Sequence, residues 1–165
     1  MYKQIIIARR DLCLSSAKLA GQVSHASMAF LTNLIQDKQY TIPITKGSLK
    51  EWNESVSEDD TEIVGYGFEY VFDKDLYEQW ISGIFTKIVL GAKNKNQLLK
   101  AKTMAEEMGM IEGKDFFLIK DCCLTELEPE EYDENGAGRC LTCIGFRPMD
   151  SEVIDKIGKK YHLYM

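Results

Sequence analysis

The stretch QIIIARRDLCLSSAKLAGQVSHAS, residues 4–27, carries two periodicities in succession. Gln4 to Ala8 is dominated by a continuous β-branched run bounded by polar and charged groups, the pattern of a strand buried on both faces and central in its sheet. Ser15 or Ser16 then supplies an N-cap. Leu19, Val23, Ala26, Phe30 and Leu34 follow at steps of four, three, four and four, so the spacing predicts an amphipathic helix over roughly 16–36.

The alternation resumes further along. A short helix runs from Asp75 through Trp80, a strand covers KIVLGA at 87–92, and a helix rich in Lys, Leu, Ala, Met and Glu lies near 94–109. DFFLIK at 115–120 is the next strand; an acidic loop with Pro129 and NGAG (135–138) leads to the strand CLTCIGF, and MDSEVIDKIGKKY makes a last helix. Strands alternating with helices predict a three-layer α/β/α domain on a mostly parallel sheet. Residues 37–77, with Pro43, Gly47, Gly65, Gly67 and an acidic run, break that rhythm; VGYGFEYVF holds a strand or a hairpin. The whole is read as a single domain over 1–165 with an inserted acidic segment at about 37–77.

At 165 residues and 45% apolar, the chain has the material for one sizeable core. No run approaches the roughly 18 to 20 apolar residues of a membrane span, and MYKQIIIARRD reads as a strand followed by charge rather than a signal peptide. A cytoplasmic protein is expected. Five cysteines (Cys13, Cys122, Cys123, Cys140 and Cys143) suit a reducing compartment. Cys140 and Cys143 form a CxxC, but on a strand positions i and i+3 face opposite ways about 10 Å apart, which fits neither a disulfide nor a shared metal. Cys122 and Cys123 are read as free thiols, and no metal is expected.

The net charge of −6 argues against unselective nucleic-acid binding, but it is unevenly divided. Residues 1–36 hold Lys3, Arg9, Arg10 and Lys18 against Asp11 alone, whereas 51–78 hold ten acids against Lys74 and 126–134 hold six more. The acidic runs read as solvated surface.

Open α/β sheets bind ligands outside the carboxyl ends of their strands. QIIIA ends into Arg9, Arg10 and Asp11, and DFFLIK into Asp121, Cys122, Cys123, Leu124 and Thr125; if the two strands run parallel, both sets share one rim. Lys18, Gln22, His25 and Ala29 form a polar stripe bordering the buried face of the first helix. In its ordinary reading Lys18 snorkels, Gln22 caps a loop and His25 is a satisfied core histidine. In its chemical reading Lys18 joins the N–H groups of the helix's first turn in an anion or oxyanion site. Asp121 and Thr125, spaced i, i+4, likewise either cap their own loop or set a carboxylate and a hydroxyl opposite Lys18. An ammonium for developing negative charge and a carboxylate to orient water suit ester hydrolysis. No GxSxG elbow, phosphate-binding Gly loop or HExxH is present.

Taken in order, strand-Arg-Asp-Leu, Lys18-Leu-Ala-Gly-Gln22-Val-Ser-His25-Ala26, Trp80 before KIVLGA, LIKDCCLTEL (118–127) and IGFRPMDSEVIDKIGKKYHLY (144–164) resemble the archaeal and eukaryotic type of peptidyl-tRNA hydrolase, over roughly 1–35 and 78–165. The resemblance implies a mixed four-stranded sheet between helices, often as a homodimer, and hydrolysis of the ester joining a peptide to the terminal ribose of tRNA, without a cofactor. It assigns Lys18, Asp121 and Thr125 catalytic roles, and puts Gln22 and His25, with the rim arginines Arg9 and Arg10, on the substrate side. This chain departs from the family in four respects: Leu14-Ser15-Ser16-Ala17 stands for a Gly-Lys-Gly loop; Cys123 stands for a glycine and Leu124 for a basic residue; the ending TCIGFRP (142–148) resembles that of a divergent branch; and residues 37–77 have no counterpart in the family. Two other readings keep the fold: a non-catalytic binding module, and a hydrolase for a smaller ester or amide that needs no basic rim.

Overall fold

A computed structural model describes residues 1–50, 55 and 57–165. The apolar run of the opening stretch becomes strand β1 (Tyr2–Arg9), buried from Lys3 onward, and the four-three-four-four spacing becomes helix α1 (Ser16–Gln36). There follow β2 (Thr41–Thr45), β3 (Ile63–Phe68), α2 (Lys74–Leu76) continuing into a wider π-helical stretch at Tyr77–Ile84, β4 (Lys87–Ala92) and α3 (Lys95–Glu107). The chain ends with β5 (Phe116–Asp121), β6 (Glu131–Tyr132), β7 (Gly138–Phe146), β8 (Met149–Asp150), α4 (Ser151–Gly158) and β9 (His162–Leu163).

Seven strands form one mixed sheet in the order β5-β7-β1-β4-β9, with β6 beside β7 and β8 beside β1. This corrects the expectation of a mostly parallel, four-stranded sheet. Among the described strands only β1 and β4 pair in parallel; β7 is antiparallel to both β1 and β5, and β9 is antiparallel to β4. The reason lies in the connections. The connection from β5 to β7 carries the short β6 and no crossing helix, which favours the antiparallel return, and the two-residue strands are too short to show a periodicity. β1 and β5, both antiparallel to β7, point the same way, so their carboxyl ends do share a rim.

The core divides along β1. Ile5 and Ile7 join Leu98, Ala101 and Ala105 of α3 and Ile154 and Ile157 of α4 in one cluster, while Ile6 and Ala8 join Ala26, Leu19 and Val23 of α1 in another. α1 lies close on the sheet because Gly145 has no side chain: a Cβ there would sit 2.4 Å from the Ala26 carbonyl oxygen. Trp80 is buried, gives its Nε1–H to the Thr86 carbonyl at 2.9 Å and meets Phe30 edge-on with ring centroids 5.9 Å apart.

In the β5–β7 ladder Ile119 pairs with Cys143 but Lys120 with Leu141, so Thr142 is an extra residue, a β-bulge in β7. The bulge cancels the face-alternation argument for the CxxC, since Leu141 and Ile144, three apart, enter the same core cluster. All five cysteines are nevertheless free. Burial pushes the Cys140 thiol up to about 11 and the Cys143 thiol up to about 12, so both are held as inert thiols.

The chain divides into two compact units, Met1–Phe30 with Asp73–Met165, and Leu31–Phe72. The second contains the antiparallel β2–β3 ribbon and a string of rings in which Tyr70 meets Tyr40 at 4.9 Å and Phe72 at 5.0 Å. Residues 51–54 and 56 of the acidic segment lie outside the described residues. Among the described residues, no helix is long and apolar enough to cross a membrane, and no cluster of His, Cys, Asp and Glu is placed to hold a metal.

Candidate active site

Ser15 is the cap of α1: its hydroxyl accepts the Lys18 N–H at 3.2 Å and its carbonyl accepts the Leu19 N–H at 2.8 Å. That fixes the first turn and with it Lys18. The Lys18 ammonium reaches the Asp121 Oδ2 at 2.7 Å and donates to the Thr125 hydroxyl at 3.2 Å, so residues far apart in sequence meet at the shared rim of β1 and β5. The cap itself is clasped from the loop after β5, where the Glu126 carboxylate accepts from the Ser15 N–H at 3.0 Å and hydroxyl at 2.7 Å.

Asp121 ends β5 with its side chain 7% exposed. Its Oδ2 also accepts from Gln22 Nε2 at 2.7 Å, and its Oδ1 from the Cys123 N–H at 2.8 Å. Burial pushes this carboxyl up, but the Lys18 ammonium, the Cys123 N–H and the Gln22 amide outweigh it and hold the group below its ordinary value. The hydrogen bond to Asp121 holds the Lys18 ammonium above its ordinary value against desolvation. The pair is therefore ionised at neutral pH. The loop turns sharply, with Cys123 at φ 55° and Glu126 at φ 62° in the left-handed region. This is a conformation that suits the glycine for which Cys123 stands.

The other candidate residues differ in burial and partners. Arg9 is only 4% exposed, and its guanidinium holds Asp11 at 3.1 and 2.7 Å, the Leu141 carbonyl at 2.9 Å and Glu130 at 2.7 Å. Arg10 folds over Gly91, donates to the Leu163 carbonyl and stacks 5.7 Å above the Tyr164 ring. His25 is exposed rather than a core histidine. Gln22, by contrast, is buried at 4% and belongs to the Asp121 network.

The constellation is thus an ammonium, a buried carboxylate and a hydroxyl gathered at a helix N-terminus. A family model described as "Peptidyl-tRNA hydrolase PTH2" matches residues 2–164. The chain belongs to the PTH2 family. A relative named peptidyl-tRNA hydrolase from Methanopyrus kandleri is 32% identical over 158 residues, covering 95% of this chain and 93% of its own. Others of that name, from Thermococcus onnurineus and Sulfolobus acidocaldarius, are 25% and 26% identical, each across 94% of this chain and 92% and 93% of their own.

Within this PTH2 chain, sequence reasoning missed the residues behind the site. Thr142, 1% exposed, approaches Gln22 Oε1 at 2.6 Å. Glu130 holds Arg9 and also Lys95 at 3.0 Å. Glu126 alone carried a signal, being next to Thr125; the partnership of Gln22 with Thr142 depends on the bulge, which no local pattern announces.

Proposed function

We propose that this chain hydrolyses the ester between a peptide, or an N-blocked amino acid, and the 3'-terminal ribose of tRNA, with Lys18, Asp121 and Thr125 as catalytic residues. The observation that carries the reading is the 2.7 Å pairing of Lys18 Nζ with Asp121 Oδ2, with the Thr125 hydroxyl 3.2 Å from the same ammonium. An ammonium has three N–H groups. Two point at Asp121 and Thr125, and the third serves the oxyanion that forms when water attacks the ester carbonyl. A carboxylate held below its ordinary value is a weak proton acceptor at neutral pH, so Asp121 acts mainly by orienting the attacking water and keeping Lys18 charged and aimed. Thr125 fixes the second direction of the ammonium. Gln22 acts behind Asp121, and exposed His25, about two turns along α1 from Lys18, is a surface for substrate.

The reading extends to the whole molecule. The two core clusters on alternate residues of β1 support a three-layer α/β/α sandwich, and the acidic segment at about 37–77 is read as an insertion in a single domain. The resemblance supports a cytoplasmic homodimer, and no cofactor enters the chemistry.

The test is release of an N-acetylated amino acid from charged tRNA by the purified chain. Wild type turns over, and Lys18→Ala and Asp121→Asn each lose on the order of 10²- to 10⁴-fold in kcat. Absence of turnover in wild type, or wild-type turnover in either variant, overturns the reading.

A further inference from the structure

The Gln22 side chain lies between two oxygens. Its amide nitrogen is 2.7 Å from Asp121 Oδ2 and its carbonyl oxygen 2.6 Å from the Thr142 hydroxyl. Both flanking groups are buried, Thr142 at 1% and Asp121 at 7% exposure, and Gln22 itself is at 4%. A hydroxyl has one proton, and Thr142 has two acceptors within reach: Gln22 Oε1 at 2.6 Å and the Ile119 carbonyl at 3.1 Å. The shorter contact takes the proton. Were the hydroxyl to donate to Ile119 instead, its lone pairs would face the Gln22 oxygen; the amide would then turn over and set that oxygen against the Asp121 carboxylate, two acceptors with no proton between them.

We infer that Thr142 is a positioning residue for the hydrolysis: by donating to Gln22 Oε1 it locks the amide with its N–H toward Asp121, and so fixes the carboxylate that aims Lys18. The inference rests on the catalytic reading of Asp121. The bulge is what makes it feasible. As the residue that β5 leaves unpaired, Thr142 stands out of the strict alternation of β7 and delivers its hydroxyl to the α1 side, where Gln22 arrives. The charged and titratable groups meeting Asp121 are Lys18 from α1 and Cys123 and Glu126 from the following loop. A change at Thr142 alters none of them, so its effect on Asp121 passes through Gln22.

The test compares Thr142→Val and Thr142→Ser in the full chain, on N-acetylaminoacyl-tRNA. Valine keeps the shape and removes the proton; serine keeps the proton. Thr142→Val lowers kcat on the order of tenfold with KM within about twofold, and moves the acid limb of the pH profile upward as Asp121 loses an oriented donor, while Thr142→Ser stays within about twofold of wild type. On a Gln22→Ala background, Thr142→Val adds nothing. A Thr142→Val enzyme with wild-type kcat and acid limb, or one whose loss adds in full to that of Gln22→Ala, overturns the lock. If the valine variant melts early, Thr142→Ala gives the same comparison without the branched side chain. Failure of the underlying reading is separate, because it appears as turnover surviving in Asp121→Asn.

Discussion

Asp121 takes donors from Lys18, Gln22 and Cys123, and this set decides how the site responds to pH. Its folded pKa lies below the ordinary 3.8, so the stability it contributes is fully present above that value and is lost as pH falls through the lower folded value. Lys18 lies above the ordinary 10.5, so its contribution is present below that value and lost as pH rises through the higher folded one. Catalysis that needs both charges is therefore flat from about pH 5 to about pH 9. The measurement is kcat/KM against pH. A limb close to neutral pH would instead displace Asp121 from its role.

At the level of elements, the placement of α1 controls both Lys18 and Gln22. Gly145→Ala would drive a methyl group into the backbone carbonyl of Ala26, with no flexible side chain to yield. The expected cost is about 1–3 kcal/mol by urea denaturation, with kcat falling as well because the helix shifts away from Asp121. An unchanged midpoint would mean that α1 is not anchored through this contact. The helix also explains what was legible. Its boundaries and its apolar face follow from spacing alone, and the Lys18–Gln22–His25 row is visible, but the row does not share one environment. At about 100° per residue, the step of four from Lys18 advances about 40° toward the sheet, whereas the step of seven falls back about 20° toward solvent. Gln22 is therefore buried and His25 exposed. The meeting of Lys18 with Asp121 and Thr125 could be read from strand direction and resemblance; the capture of Arg9 by Glu130 could not, because it joins the end of β1 to a residue before β6 with no common period.

Across the molecule the net charge is −6, and Arg9, buried and paired with Asp11 and Glu130, is withdrawn from phosphate contact. Phosphate contacts give a salt slope of about 0.7 to 0.9 per contact, so tRNA binding by this chain should weaken only shallowly between low and moderate salt. Arg10→Ala should keep the KM for tRNA within about twofold, because the guanidinium is spent on Leu163 and Tyr164; filter binding across a salt series and steady-state kinetics check both, and a steep slope or a tenfold rise in KM would show that Arg10 swings out to the substrate. The bulge at Thr142 has a consequence on the same scale. Omitting that one residue would bring Leu141, Cys143 and Ile144 into plain alternation and leave the sheet paired throughout. A single-codon deletion here is therefore expected to spare the strand pairing and slow the reaction, so the gene can tune the chemistry by changing the length of the chain without giving up the shape.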